Sequence, residues 1–189
     1  LCDKAILLSM YNKFREYVVD HFKKEMVSKQ YFGRVPNFPD YISENIVLHV
    51  LKNRFENYTD FGLSLNSSSD IRWLNEKNEE ELGEVKCAFN GPSQFSPNSK
   101  KKGQVLFYMD ASEHIYDGHV HIYMVKNYQE KLKKINVNKG QTVQEQQTQG
   151  RRPRFNLKKE FENDMELIFS GTVQDILNNN NDANANNTL

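Results

Sequence analysis

Cysteine is scarce: Cys2 and Cys87 stand far apart, with no CxxC pair and no Cys/His cluster around either. That excludes a disulfide framework and a zinc site of the usual spacing, and makes a reducing cytoplasm the expected setting. No run of 18 apolar residues and no signal-peptide pattern is present, so secretion and membrane insertion are not expected. The first residue is Leu rather than Met, which points to a processed or incomplete start. Net charge is lacking too, because 25 Lys and Arg balance 25 Asp and Glu. No global basic signature announces a nucleic-acid partner, which would therefore have to meet a local patch. No HExxH or HNH-like pattern surrounds His114, His119 and His121, and no His–Asp arrangement lies beside Cys87. The histidines are not expected to bind metal, His119 and His121 being a strand pair that faces solvent, and Cys87 is expected to be a small buried hydrophobe without thiol chemistry. There is no internal repeat.

What remains is enough for a sizeable core: 189 residues, 38% hydrophobic, are expected to form one domain over 1–177. The segment 178–189 is Asn-rich, with too few apolar groups to pack. From Lys4 to Met26 apolar residues recur at helical spacing, and after the breaker VPNFPD a second helix follows, from Ile42 to Phe55, with Glu44 in its first turn. DIRWL (70–74) and LGEVKCAF (82–89) predict two strands joined by the solvated turn NEKNEEE, whose Glu79, Glu80 and Glu81 are expected to face water. QVLFYMDA (104–111) and HVHIYMVK (119–126) predict two more, around a turn at Asp117 and Gly118, and residues 158–177 a further strand and short helix. The Gly, Pro and Ser content of NGPSQFSPNSKKKG (90–103) predicts a loop without regular structure, and 131–150 is polar and Gln-rich.

Glu84 and Lys86 are one residue apart in a strand, so both point to one face while Val85 and Cys87 point to the other. Ionised groups are almost never buried unless paired or bound to metal. Asp70 opens the neighbouring strand, and the intervening turn is of the right length to bring it beside them. Two carboxylates so placed repel, which a divalent cation relieves; Mg²⁺ binds through one or two carboxylates, waters and phosphate oxygens. The Val85 carbonyl lies between the charged side chains and is a further candidate ligand. Lys86 could hold a phosphate or help activate water.

The pattern D-(x)13-E-V-K on strand, turn and strand resembles the PD-(D/E)XK nucleases. EVKCAFNGPSQFSP followed by QGRRPRFN is similar to a group of type II restriction endonucleases. The resemblance spans roughly residues 40–157 and implies an α/β fold, a mixed central sheet flanked by helices. It implies catalysis by Asp70, Glu84 and Lys86 with Mg²⁺, and places the family's accessory helical acid on Glu44. Ser69 stands where the family's proline usually precedes the first acid.

Local charge supplies the expected partner, double-stranded DNA. Between Glu84 and Arg154 there are twelve Lys and Arg against six Asp and Glu. Lys100, Lys101 and Lys102 suit phosphate contacts, which position without specifying, whereas Arg presents the planar fork that reads guanine. Arg151, Arg152 and Arg154 are the candidates for base readout, with Asn90, Ser93 and Gln94 as polar readers. Cutting both strands of a symmetric site is most simply done by a homodimer, for which the first helix offers a plausible surface. Two other readings compete: a structure-selective or repair nuclease of the same fold, and a non-catalytic DNA-binding module in which the three charges form an ion network.

Overall fold

The computed structural model describes residues 1–27, 38–65, 69–88, 94, 95, 97, 103–137 and 140–178, the side chains of 21–27, Gln94 and Ile115 excepted. Helix α1 (Lys4–Val27) starts at Asp3, whose carboxylate accepts the main-chain N–H groups of Ala5 and Ile6, a cap that satisfies otherwise orphaned donors. It buries Leu7, Tyr11 and Val18 at helical spacing and leaves Ile6, Met10 and Tyr17 exposed. Helix α2 (Asp40–Arg54) follows Pro39 and is buried along most of its length, from Ile42 to Leu51.

The strands are β1 (Thr59–Leu63), β2 (Ile71–Leu74), β3 (Glu80–Ala88), β4 (Gln94–Phe95), β5 (Val105–Asp110) and β6 (His119–Lys126), then β7 (Asn136–Val137), β8 (Gln141–Thr142), β9 (Phe155–Asn156) and β10 (Glu166–Thr172). Six of them form one sheet in the order β1-β2-β3-β5-β6-β10. Only β3 and β5 run parallel; the other neighbours are antiparallel. This mixed sheet with flanking helices is the restriction-endonuclease-like architecture expected.

Strand alternation separates two cores. One face carries Ile71, Trp73, Val85, Phe107, Met109, Ile122 and Met124, which pack against α1, α2 and helix α7 (Val173–Asn178). The other carries Leu106, Tyr108 and Val125 under a lobe built from β4, β7, β8 and β9 with the short helices α4 (Tyr128–Leu132), α5 (Val143–Thr148) and α6 (Leu157–Glu160). Phe95, Tyr128, Phe155 and Phe161 fill that second core.

One expectation needs correction. The loop 90–103 is not devoid of regular structure: Gln94 and Phe95 pair with Asn156 and Phe155, because Phe95 is an apolar side chain that buries edge-on against Phe155. The polar stretch 131–150 carries β7, β8 and α5, the last begun by a capping box in which Thr142 and Glu145 bond reciprocally. The apolar signal for this lobe is thin, a few residues such as Ile135, Val137 and Val143 spaced between polar ones.

His114 lies fully buried in the one-turn helix α3 (His114–Asp117), with Nε2 2.9 Å from the Tyr11 hydroxyl. Burial, with the nearby Arg15 charge, lowers its pKa to about 4. A histidine held neutral in the fold stabilises fully above its unfolded pKa of about 6.5, and that contribution is lost as pH falls toward 4, about 3 kcal/mol in all. Urea unfolding at pH 7 and pH 4.5 should therefore show a steeper acid loss for the wild type than for His114→Gln. His119 and His121 are half-buried and pair with their own neighbours, Asp117 and Ser170.

Candidate active site

The β2–β3 ladder places the acids. Ile71 pairs with Gly83, and the Asp70 N–H donates to the Gly83 carbonyl at 2.9 Å, so Asp70 stands opposite Glu84 on the face away from Ile71 and Trp73. There the ladder stops being main chain to main chain. The Val85 N–H instead donates to Asp70 Oδ2 at 2.9 Å, the carboxylate taking the place of the next strand carbonyl. In a strand the N–H and C=O of one residue leave the same edge, so the Val85 carbonyl is directed toward the space beside Asp70. Upstream, Ser69 Oγ donates to Ser64 Oγ at 2.8 Å and the Ser64 N–H to the Asp70 carbonyl, which fixes the approach to the acid.

Lys86 closes the group. Its ammonium lies 2.6 Å from Glu84 Oε1 and 3.7 Å from Asp70 Oδ2. The side chains of Glu84 and Asp70 are 5% and 14% exposed and that of Lys86 is 37% exposed. Two acids withdrawn from water thus converge on one cation, and the cation is the member that reaches solvent. Tyr128 lies under the same site: burial of its ring and the negative charges of Glu84 and Asp70 push its phenol pKa up, while its hydroxyl accepts from Gln129 at 2.8 Å. It stands on α4, just before the polar stretch 131–150, and its electrostatic link to the acids is a feature that spacing along the chain does not expose.

The family of Bsp6I restriction endonucleases matches residues 3–164. The type II restriction enzyme Bsp6I of Bacillus sp. (strain RFL6) is 30% identical over 152 residues, which cover 77% of this chain and 79% of that protein. The chain belongs to the Bsp6I restriction endonuclease family. No solved structure matches it. The family span takes in α1, α2, both members of the β2–β3 pair and the whole lobe on the site face, and ends just before β10.

Seen within the family, the remaining candidates divide by place. Arg151, Arg152 and Arg154 are exposed on an extended segment anchored by buried Pro153 and Phe155, on the lobe that covers the site face. The segment leaves α5 through Gly150, whose φ of 71° suits glycine, and the Arg151 N–H returns to the Gln146 carbonyl. Gln94 belongs to β4 and so reaches the same lobe through its pairing with Asn156. Glu44 is half-buried on α2, a helix that packs on the Val85 and Cys87 side of β3. Asn90, Ser93, Lys100, Lys101 and Lys102 lie outside the described residues. Cys87 packs against the helix-side core, and its burial, with the charges of Asp110 and Asp40, pushes the thiol pKa up, so it stays un-ionised.

The donor set suits a hard cation. Among the described residues no three of His, Cys, Asp and Glu gather into a metal cluster, which leaves two carboxylates and a main-chain carbonyl. Mg²⁺ is commonly bound in that way, with water and phosphate oxygens completing its shell. The two acids already share a cation in Lys86, so their charge is arranged for one.

Proposed function

We propose that this chain is a Mg²⁺-dependent, sequence-specific endonuclease of double-stranded DNA, residues 1–177 acting as one nuclease domain within a homodimer. The observation that carries the reading is the convergence of Asp70, Glu84 and Lys86 on one sheet face, in a chain of a restriction endonuclease family. Asp70, Glu84 and the Val85 carbonyl would hold Mg²⁺, with Glu44 as accessory acid. When bound, the ion neutralises charge on the phosphate and makes water easier to deprotonate. Lys86, the exposed member, holds the scissile phosphate and stabilises the charge that builds on its oxygens as water attacks in line with the leaving oxygen. The partly buried acids keep their orientation through strand pairing and the Val85 N–H, so little reorganisation accompanies DNA binding.

Incubation with plasmid and Mg²⁺, beside an EDTA control, tests the reading. Discrete bands that vanish with EDTA are expected. A smear, or cutting confined to branched substrates, would favour the structure-selective nuclease, and binding without any cutting would favour the non-catalytic module.

The arginines supply readout and the loop lysines, Lys100 to Lys102, supply phosphate contacts. Changing Arg151, Arg152 or Arg154 to Ala is expected to cost about 1–3 kcal/mol and to relax discrimination at one base pair. Affinities for the cut sequence and its single mismatches check this; equal weakening on every duplex would make these residues backbone contacts instead.

A further inference from the structure

On the face that carries Glu84 and Lys86, the parallel register sets Lys86 beside Tyr108 and Ala88 beside Asp110, and Tyr108 stacks on Tyr123 at 6.1 Å between ring centres. Asp110 is 7% exposed, an unusual place for a carboxylate. Its Oδ1 accepts the Ser112 N–H at 3.1 Å, and its Oδ2 lies 3.0 Å from the ammonium of Lys158, which reaches it from α6 and is 56% exposed. A buried acid thus holds a solvent-facing lysine in one position, beside the aromatic pair that adjoins Lys86.

We propose that Lys158 is a second phosphate-binding lysine of the nuclease, held by Asp110 so that it meets the phosphate next to the one on Lys86; this rests on the nuclease reading above. The spacing supports it. Asp110 is one strand over from Ala88, itself two residues beyond Lys86, so the two anchor points differ by about 5 Å across the sheet and about 7 Å along it. That is the scale on which successive phosphates of one strand follow each other as the backbone winds. An ammonium carries three donors, enough for a carboxylate and a phosphate together. The pairing also raises its pKa, with Tyr123 and Tyr108 adding to the effect of Asp110, so the lysine is charged wherever the enzyme works. Its segment follows the exposed arginines directly, so the lysine holds strand position while they face the base edges.

The test uses the full chain and a linear duplex that the wild type binds. Affinity is measured against salt with EDTA present, and cleavage with Mg²⁺ at saturating and subsaturating DNA. Lys158→Gln should reduce the salt slope by about 0.9, one phosphate contact. It should also lower cleavage at subsaturating DNA at least tenfold in protein that is still folded at the assay temperature, the unfolding midpoint falling only as the loss of Asp110's partner requires, and Lys158→Arg should restore both. Asp110→Asn keeps the ammonium but releases it, so the slope should be no shallower than that of the wild type while turnover at saturating DNA falls. A wild-type slope in Lys158→Gln would overturn the phosphate contact, and wild-type turnover in Asp110→Asn would overturn the positioning. Failure of the wild type to cut, with binding intact, would instead refute the nuclease reading, and the salt slopes would still report on Lys158.

Discussion

Asp70→Ala and Glu84→Ala should each lower cleavage by about 10³-fold or more while DNA binding without metal is kept or strengthened, since each removes a negative charge from beside the phosphate backbone. Lys86→Ala should stop cleavage as well, with binding of Mg²⁺ largely retained, because an ammonium is not a ligand for a cation. The variants also separate in stability. Glu84 is 5% exposed and lies 2.6 Å from the Lys86 ammonium, so removing the lysine alone strips a buried carboxylate of that compensation, at a cost of about 1–3 kcal/mol. Adding Glu84→Gln to Lys86→Ala should return part of that loss without returning activity. Titration calorimetry of Mg²⁺ or Mn²⁺ into the protein–DNA complex, cleavage assays and urea unfolding of each variant measure the three quantities separately. Full activity in any single variant would remove that residue from the site, and activity in all three would reduce the group to a cross-strand ion pair.

The face of the candidate site was legible because it depends on local rules. Period-two alternation is enough to put Glu84 and Lys86 together, and a strand, turn and strand is enough to bring Asp70 opposite, as the pairing of Ile71 with Gly83 bears out. The long helices and the strands β5 and β6 were legible for the same reason, as strong periodic patterns bounded by Gly, Pro and Asn. The strand β1 was not, being five residues long and interrupted by a bulge where Asp60 takes a positive φ of 47°. The lobe over the site was missed because its elements are two to six residues long and hold together through aromatic and aliphatic side chains contributed from 95 to 161. Long-range partners left no trace in spacing at all. Lys158 meets Asp110 across 48 residues and His114 meets Tyr11 across 103, so each looks along the chain like an ordinary surface or turn residue. Asn90, Ser93, Lys100, Lys101 and Lys102 lie outside the described residues.

The strand that presents Asp70 is locked by Trp73 and Gly83, and loosening that lock should cost both stability and activity. Trp73 is 1% exposed; it packs edge-on against Phe107 at 5.7 Å and parallel to Tyr58 at 6.4 Å. Gly83, between the two acids in the ladder, leaves no room for a side chain: a Cβ there would stand 2.8 Å from Ile71, 2.9 Å from Phe107 and 3.0 Å from Trp73. The glycine therefore lets Ile71, Phe107 and the Trp73 ring close on β3, on the face opposite Asp70 and Glu84. Trp73→Ala should destabilise by about 3–5 kcal/mol through lost burial and the cavity left behind. Gly83→Ala should cost about 1–3 kcal/mol, because its contacts are with packed core rings rather than with flexible side-chain ends. Since the added methyl pushes β2 away from β3, Gly83→Ala should also lengthen the bond from the Val85 N–H to Asp70 and reduce cleavage by more than its stability loss accounts for. Combining Gly83→Ala with a smaller residue at Trp73 gives the decisive comparison. If the methyl acts by steric conflict, the double variant Gly83→Ala/Trp73→Leu should be more stable than the sum of the two single effects, as residues in contact are expected to be non-additive. Strict additivity in urea unfolding would show that the glycine and the tryptophan act independently, and that the position of Asp70 is held by something other than this packing.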